Sequence, residues 1–288
     1  MALLTPEVRS YFDEATNSAC YIVKDPSSPT CAIIDPIWNF DLASGQTYTA
    51  HADMLAEEVI SNGWQLDWVI ETHVPADNLS TAPYLAQRFG AKVAIGSNID
   101  AVQKVLGKVF NTDTDFQMSA SRFDRPFKDG ERFDIGNMSV QVMHTPGHTP
   151  ACVTYLIGDA AFIGDTLFMP DFGTARADFH GDSAKDLYQS IQKILALPAQ
   201  TRPFLCHDDK APGRDAFCCQ TTVADQKARN IHVGEQKTED EFVSFRTTRD
   251  AQLSMLKLFI PAVQVNMRAG NLPPAEPVGC VYLKVPIN

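Results

Sequence analysis

Trp68-Val69-Ile70-Glu71-Thr72-His73-Val74-Pro75-Ala76-Asp77-Asn78 is a β-branched, apolar run that breaks into a cluster of polar side chains. Residues 68–71 read as a strand, and the loop after it carries an imidazole and a carboxylate. Loops that follow strands are where α/β proteins place ligands and catalytic groups. Upstream, residues 19–23 and 31–35 read as paired strands split by the turn-rich Lys24-Asp25-Pro26-Ser27-Ser28-Pro29, and 50–62 as a helix stopped by Gly63. Downstream, 79–89 reads as a helix stopped by Gly90 and 92–95 as another strand. Strands alternating with helices in this way predict an α/β fold.

Further along, residues 139–143, 152–157, 161–163 and 204–206 are strand candidates. Residues 183–197 form a helical pattern with Leu187, Ile191, Ile194 and Leu195 on one face, Ser183 as N-cap and Pro198 closing the run. A last strand is expected at 281–285. No repeat or low-complexity linker divides the chain, so residues 1–288 are expected to form one domain, with 235–288 a C-terminal extension packed on it.

The composition narrows the partners. The chain has 288 residues, 44% hydrophobic and 20% charged, with net charge −11. An acidic chain lacks the basic face that phosphate backbones require, so nucleic acid is not expected as a partner. The start of the chain has neither a basic segment nor an apolar stretch, which argues against a signal peptide. Residues 255–265 are too short and interrupted to span a bilayer. Seven cysteines without a C-x-x-C pair fit reduced thiols and a cytoplasmic setting. A homodimer is compatible with the sequence.

Chemistry concentrates in four clusters, each just after a strand candidate. They are His73 with Asp77, His144-Thr145-Pro146-Gly147-His148-Thr149, Gly164-Asp165-Thr166 and Cys206-His207-Asp208-Asp209. Imidazole and carboxylate suit zinc or ferrous iron. His51, His180 and His232 lie outside any motif and read as solvated. Cys206 reads as a small apolar neighbour of His207, and Trp64 and Trp68 as core residues.

The order T-H-x-x-x-D, H-T-P-G-H-T, G-D-T-L, C-H-D resembles the metallo-β-lactamase superfamily. Within it the chain is most similar to the persulfide dioxygenase group and the beta-lactamase-like hydrolases. Ala32-Ile33-Ile34-Asp35-Pro36, Gly173-Thr174-Ala175-Arg176-Ala177-Asp178-Phe179 and Lys210-Ala211-Pro212-Gly213-Arg214-Asp215 extend the similarity, as does the run from Gln264 to Pro273. The resemblance implies an αββα sandwich. Against the superfamily signature T-H-x-H-x-D-H, Pro75 replaces the second histidine and Asn78 the third. His73, Asp77, His148, Asp165 and His207 remain. Each half of a two-metal centre has thus lost one histidine, which disfavours a dinuclear zinc hydrolase. The persulfide dioxygenases hold one iron, and their ligands correspond to His73, His148 and Asp165. The resemblance also implies a tyrosine after the His-Asp pair, where this chain has Asp209.

Three functions follow, in order of expectation. The first is a mononuclear Fe(II) enzyme, one iron per chain, oxidising a persulfide or related small thiol with dioxygen. The second is a mono-zinc hydrolase of a thioester, lactone or related ester, with Asp77 or Asp209 as base. The third is a binding protein without turnover. Arg176 and Arg214 are candidates for gripping a glutathione-like carboxylate.

Overall fold

Strand β1 (Glu7–Asp13) runs antiparallel to β2 (Ser18–Lys24), which pairs with β3 (Thr30–Ile34). After β4 (Ile37–Asp41) and β5 (Gln46–Tyr48), helix α1 (Ala50–Ser61) returns the chain to β6 (Gln65–Ile70), parallel to β3. Next come β7 (Leu79–Ser80), α2 (Ala82–Phe89), β8 (Lys92–Gly96), α3 (Ile99–Val109) and β9 (Arg125–Phe127). Six of these strands form one sheet in the order β1-β2-β3-β6-β8-β9. The computed structural model describes residues 5–112, 122–179, 181–234 and 237–287, and the statements below concern these.

A second sheet joins β10 (Arg132–Ile135), β11 (Met138–His144), β12 (Val153–Ile157), β13 (Ala160–Phe162) and β14 (Arg202–Phe204) in chain order. The period of two along each strand explains why the sheets stack. On β2 and β3, Cys20, Ile22, Cys31 and Ile33 join the core under α1, α2 and α3. Their neighbours Ala19, Tyr21, Val23, Ala32 and Ile34 face Val140, Val142, Tyr155 and Phe162 of the other sheet. The far side of the second sheet, through Leu156 and Ala161, is covered by α4 (Ala184–Leu195) and by Phe242 of α6 (Glu239–Asp250). Helix α5 (Val223–Arg229) lies before α6, and α7 (Phe259–Asn266) after it. The result is the expected αββα sandwich. Ser183 caps α4, its side chain accepting from Asp186 N–H, as its position before the helix predicts.

Some expectations are corrected. The helix expected over 79–89 starts only at Ala82, with Pro83 in its first turn. Leu79 and Ser80 instead pair with β4, and Ser80 N–H donates to Asn266 Oδ1. No strand forms at 281–285, because the Gln264 side chain takes up both Lys284 N–H and Lys284 C=O. His51 and His232, expected in solvent, are 7% and 5% exposed. His180 lies outside the described residues. All seven cysteines are free. No helix is long and apolar enough to cross a membrane.

The turn after β11, packed against the start of α4, couples packing to the site. Gly147 has φ +139°, and a Cβ there would lie 2.2 Å from the Leu187 amide nitrogen. Ser183 N–H donates to Gly147 C=O, and Ser190 Oγ–H to Pro146 C=O. Gly147→Ala is expected to lower the unfolding free energy by about 3 kcal/mol, from backbone strain and overpacking. Urea unfolding would measure the loss, and an unchanged midpoint would contradict the packing described.

Candidate metal centre

The four clusters meet at one edge of the sandwich. His73 and Asp77 follow β6, His148 follows β11, Asp165 sits on a single 3-10 turn after β13, and His207 follows β14. Direct bonds fix the sheets to each other here. Val153 N–H donates to Thr72 C=O, Ala19 N–H to Cys206 C=O, and Tyr155 Oη–H to Glu71 C=O.

One oxygen sits at the centre. The Nε2 atoms of His73, His148 and His207 each lie 3.6 Å from Asp165 Oδ2. All four side chains are buried. His73 Nε2, His207 Nε2 and Asp165 Oδ1 have no hydrogen-bond partner. Burial would raise the Asp165 pKa, but His207, His73 and His148 outweigh it and hold the carboxyl well below its usual range. Burial would lower the His207 pKa, but Asp165 and Asp77 push it up to about 10. At His148 burial wins and the pKa falls.

Each imidazole is turned by its other nitrogen. His148 Nδ1–H donates to Arg176 C=O at 2.9 Å, and His207 Nδ1–H to Asn17 C=O at 3.2 Å. His73 Nδ1 is 2.9 Å from Thr72 Oγ1, and Thr72 Oγ1–H donates to Asp35 Oδ2. Thr72 therefore accepts from His73, and the Nε2 atoms of all three rings face inward. This back-side bonding sets both the tautomer and the direction of a metal-binding histidine. Gly164 allows the close approach, since a Cβ there would lie 2.6 Å from Thr72 Oγ1.

Donor atoms of a tetrahedral zinc, bound at about 2.0–2.2 Å, stand about 3.4 Å apart. The spacing of His73, His148 and Asp165 suits one ion of that size, and the orphaned buried atoms fit it. Asp77, Asp165 and His207 form a second close group that shares Asp165. That group holds one nitrogen donor, and His207 Nε2 is already 3.2 Å from Asp77 Oδ2. A third group, Asp35, His73 and Cys206, is a poor candidate. Cys206 Sγ–H donates to Asp35, burial holds the thiol protonated, and Thr72 uses His73 Nδ1.

The remaining candidates are dispersed. Asp77 lines the pocket over the centre, as does Asp209, whose carboxylate accepts from Asn17 Nδ2–H at 2.7 Å. Arg176 also lines it, but its guanidinium forks onto Asp178 at 2.6 and 2.7 Å. Arg214 turns away to Asp208 and Asp171, leaving no free donor for a carboxylate. Its work is to neutralise buried Asp208, which in turn accepts Cys218 N–H and Lys210 N–H. Asn78 donates to Ser18 Oγ.

Sequence reading placed Asn266 in the Gln264–Pro273 run that extends the resemblance but gave it no role. Its Nδ2 donates to the carbonyls of both Pro75 and Asn78, fixing the altered signature from α7, almost two hundred residues away. Sequence reading missed Arg246 and Arg249 of α6, which line the pocket. Neither sits in a motif.

The family model described as "Metallo-beta-lactamase superfamily" matches residues 15–207. A Burkholderia pseudomallei protein named "Probable metallo-hydrolase" is 48% identical, covering 98% of this chain and 99% of its own. "Glyoxylase B2" of Dictyostelium discoideum is 44% identical over 93% of this chain and 92% of its own. The mouse mitochondrial "Persulfide dioxygenase ETHE1" is 28% identical over 70% and 68%. Among solved structures, ETHE1 from Myxococcus xanthus aligns with TM-score 0.74 and 27% identity, covering 92% of this chain and all of that one.

The donor count separates His148 from His207. His148→Ala is expected to abolish metal binding and His207→Ala to retain most of it, read by elemental analysis of variants purified together. Equal loss from both would make His207 a ligand and the centre a different one.

Proposed function

The chain belongs to the metallo-beta-lactamase superfamily, and from that premise we propose that it is a mononuclear iron enzyme oxidising a small persulfide or related thiol. Supporting this is one observation, the convergence of two imidazole nitrogens and one carboxylate, from His73, His148 and Asp165, on a buried point beneath a pocket. His73, His148 and Asp165 would hold a ferrous ion, which would supply the redox chemistry that joins sulfur to dioxygen. The net change is RSSH + O2 → RSSO2H, in which the terminal sulfur is oxidised and dioxygen is reduced.

The protein's own part is orientation and proton handling. The carbonyls of Arg176 and Asn17 and the Thr72 hydroxyl hold the rings in place. Phe168 and Phe172 line the pocket with apolar rings. Asp77, beside His207, is the group positioned to take the proton of the entering thiol, and Asp209 faces the same space.

Mono-zinc hydrolysis of a thioester, lactone or related ester is the second reading. It is favoured by the names of the relatives at 48% and 44% identity, which span nearly the whole chain. The same three residues would hold zinc, which would supply Lewis-acid activation of water, and Asp77 or Asp209 would serve as base. The name "Probable metallo-hydrolase" specifies no substrate, so it does not displace the donor-set argument.

Metal analysis and an oxygen electrode separate the two. About one iron per chain, with oxygen uptake on adding glutathione persulfide, is expected. Zinc with thioester hydrolysis and no oxygen uptake would overturn the dioxygenase reading in favour of the second.

A further inference from the structure

A second, smaller cavity borders the metal centre. Its volume is about 30 Å³, against about 250 Å³ for the pocket described above, and His148 lines both. Its apolar walls come from three parts of the chain. Val74 and Ala76 flank Pro75 in the altered signature, Val102 and Leu106 come from α3, and Val263 from α7. All five are at most 7% exposed and belong to the core under the first sheet. Two rings, Phe179 and Phe259, add to the lining and pack with their centres 5.0 Å apart.

Size and polarity together limit what this space can hold. A cavity needs roughly 10–15 Å³ to admit one water, so this one admits a molecule of about two heavy atoms and excludes a peptide-sized thiol. A water there would also need about two to four polar partners. The polar side chains at the rim offer few. Asp182 Oδ2 already accepts from Phe179 N–H at 3.0 Å, and Thr149 Oγ1 lies 3.1 Å from Cys152 Sγ. Burial pushes the Asp182 pKa up to about 7, so that carboxyl is largely uncharged below that pH. Apolar cavities stay dry and take guests such as xenon. A small apolar gas gives up no hydrogen bonds on leaving water and gains dispersion contacts with the walls.

We propose that this cavity is a binding site for dioxygen, held beside His148 and apart from the thiol substrate in the larger pocket. The two reactants then reach the centre without competing for one space. The identity of the gas rests on the proposed function, whereas the affinity for a small apolar gas rests on the cavity alone.

Crystals of the metal-loaded protein under xenon pressure are expected to show an anomalous peak among Val74, Val102 and Val263. Val102→Phe, which fills the space, should abolish that peak. Val102→Ile, which adds a single methylene, should weaken it and serves if the larger ring prevents folding. In an oxygen electrode with glutathione persulfide, Val102→Phe should raise KM for dioxygen by about fivefold, the scale of a handful of dispersion contacts. The kcat at saturating dioxygen and the KM for the persulfide should stay unchanged. Ordered water in the cavity with no xenon would overturn the site. Xenon binding with a KM for dioxygen that neither variant alters would overturn the dioxygen role. If xenon binds and Val102→Phe expels it but no oxygen is consumed, the gas site stands and the dioxygenase reading falls.

Discussion

Three imidazoles face a single carboxylate oxygen in a site almost sealed from water, and the rest of the structure is arranged around that convergence. Asp165 Oδ2 is equidistant from the three Nε2 atoms. In water such a cluster would disperse, because each group is better solvated apart than together. Burial removes that option, and the unpaired nitrogens and oxygen left behind are costly unless a cation occupies the point they share. The two sheets bring the groups together, and hydrogen bonds behind each ring keep them turned inward.

Those bonds come from distant parts of the chain. The Asp35–Thr72–His73 relay belongs to the first sheet, the Arg176 carbonyl to the long segment after Asp165, and the Asn17 carbonyl to the turn between β1 and β2. Asn266 of α7 holds the Pro75–Asn78 segment, and the end of α6 holds the pocket wall through Asp250. The C-terminal segment thus shapes the site from outside it. It adds none of the atoms that face Asp165.

Much of this was legible in the sequence. The strand-then-polar clusters placed His73, His148, Asp165 and His207, because a period of two followed by a break marks a strand end without knowledge of packing. The alternation of strands with helices marked the α/β class, and the family resemblance implied the αββα layers. What was illegible depended on long-range contacts. The strand-like run at 281–285 has no strand partner, and only the fold shows that the Gln264 side chain takes its backbone groups. His51 and His232 carry no local mark of burial. Arg214 read as a substrate grip because a guanidinium suits carboxylates, and the carboxylates it meets are Asp208 and Asp171. Arg249 stood in no motif.

The account depends on the centre being mononuclear. Pro75 and Asn78 stand where two histidines of the superfamily signature would be, and Asp77 with His207 retains one nitrogen for any second ion. Anomalous diffraction from crystals of the metal-loaded protein, measured at the metal edge, tests this most directly. The account predicts one strong peak among His73, His148 and Asp165. A second peak of comparable height between Asp77, Asp165 and His207 would contradict it.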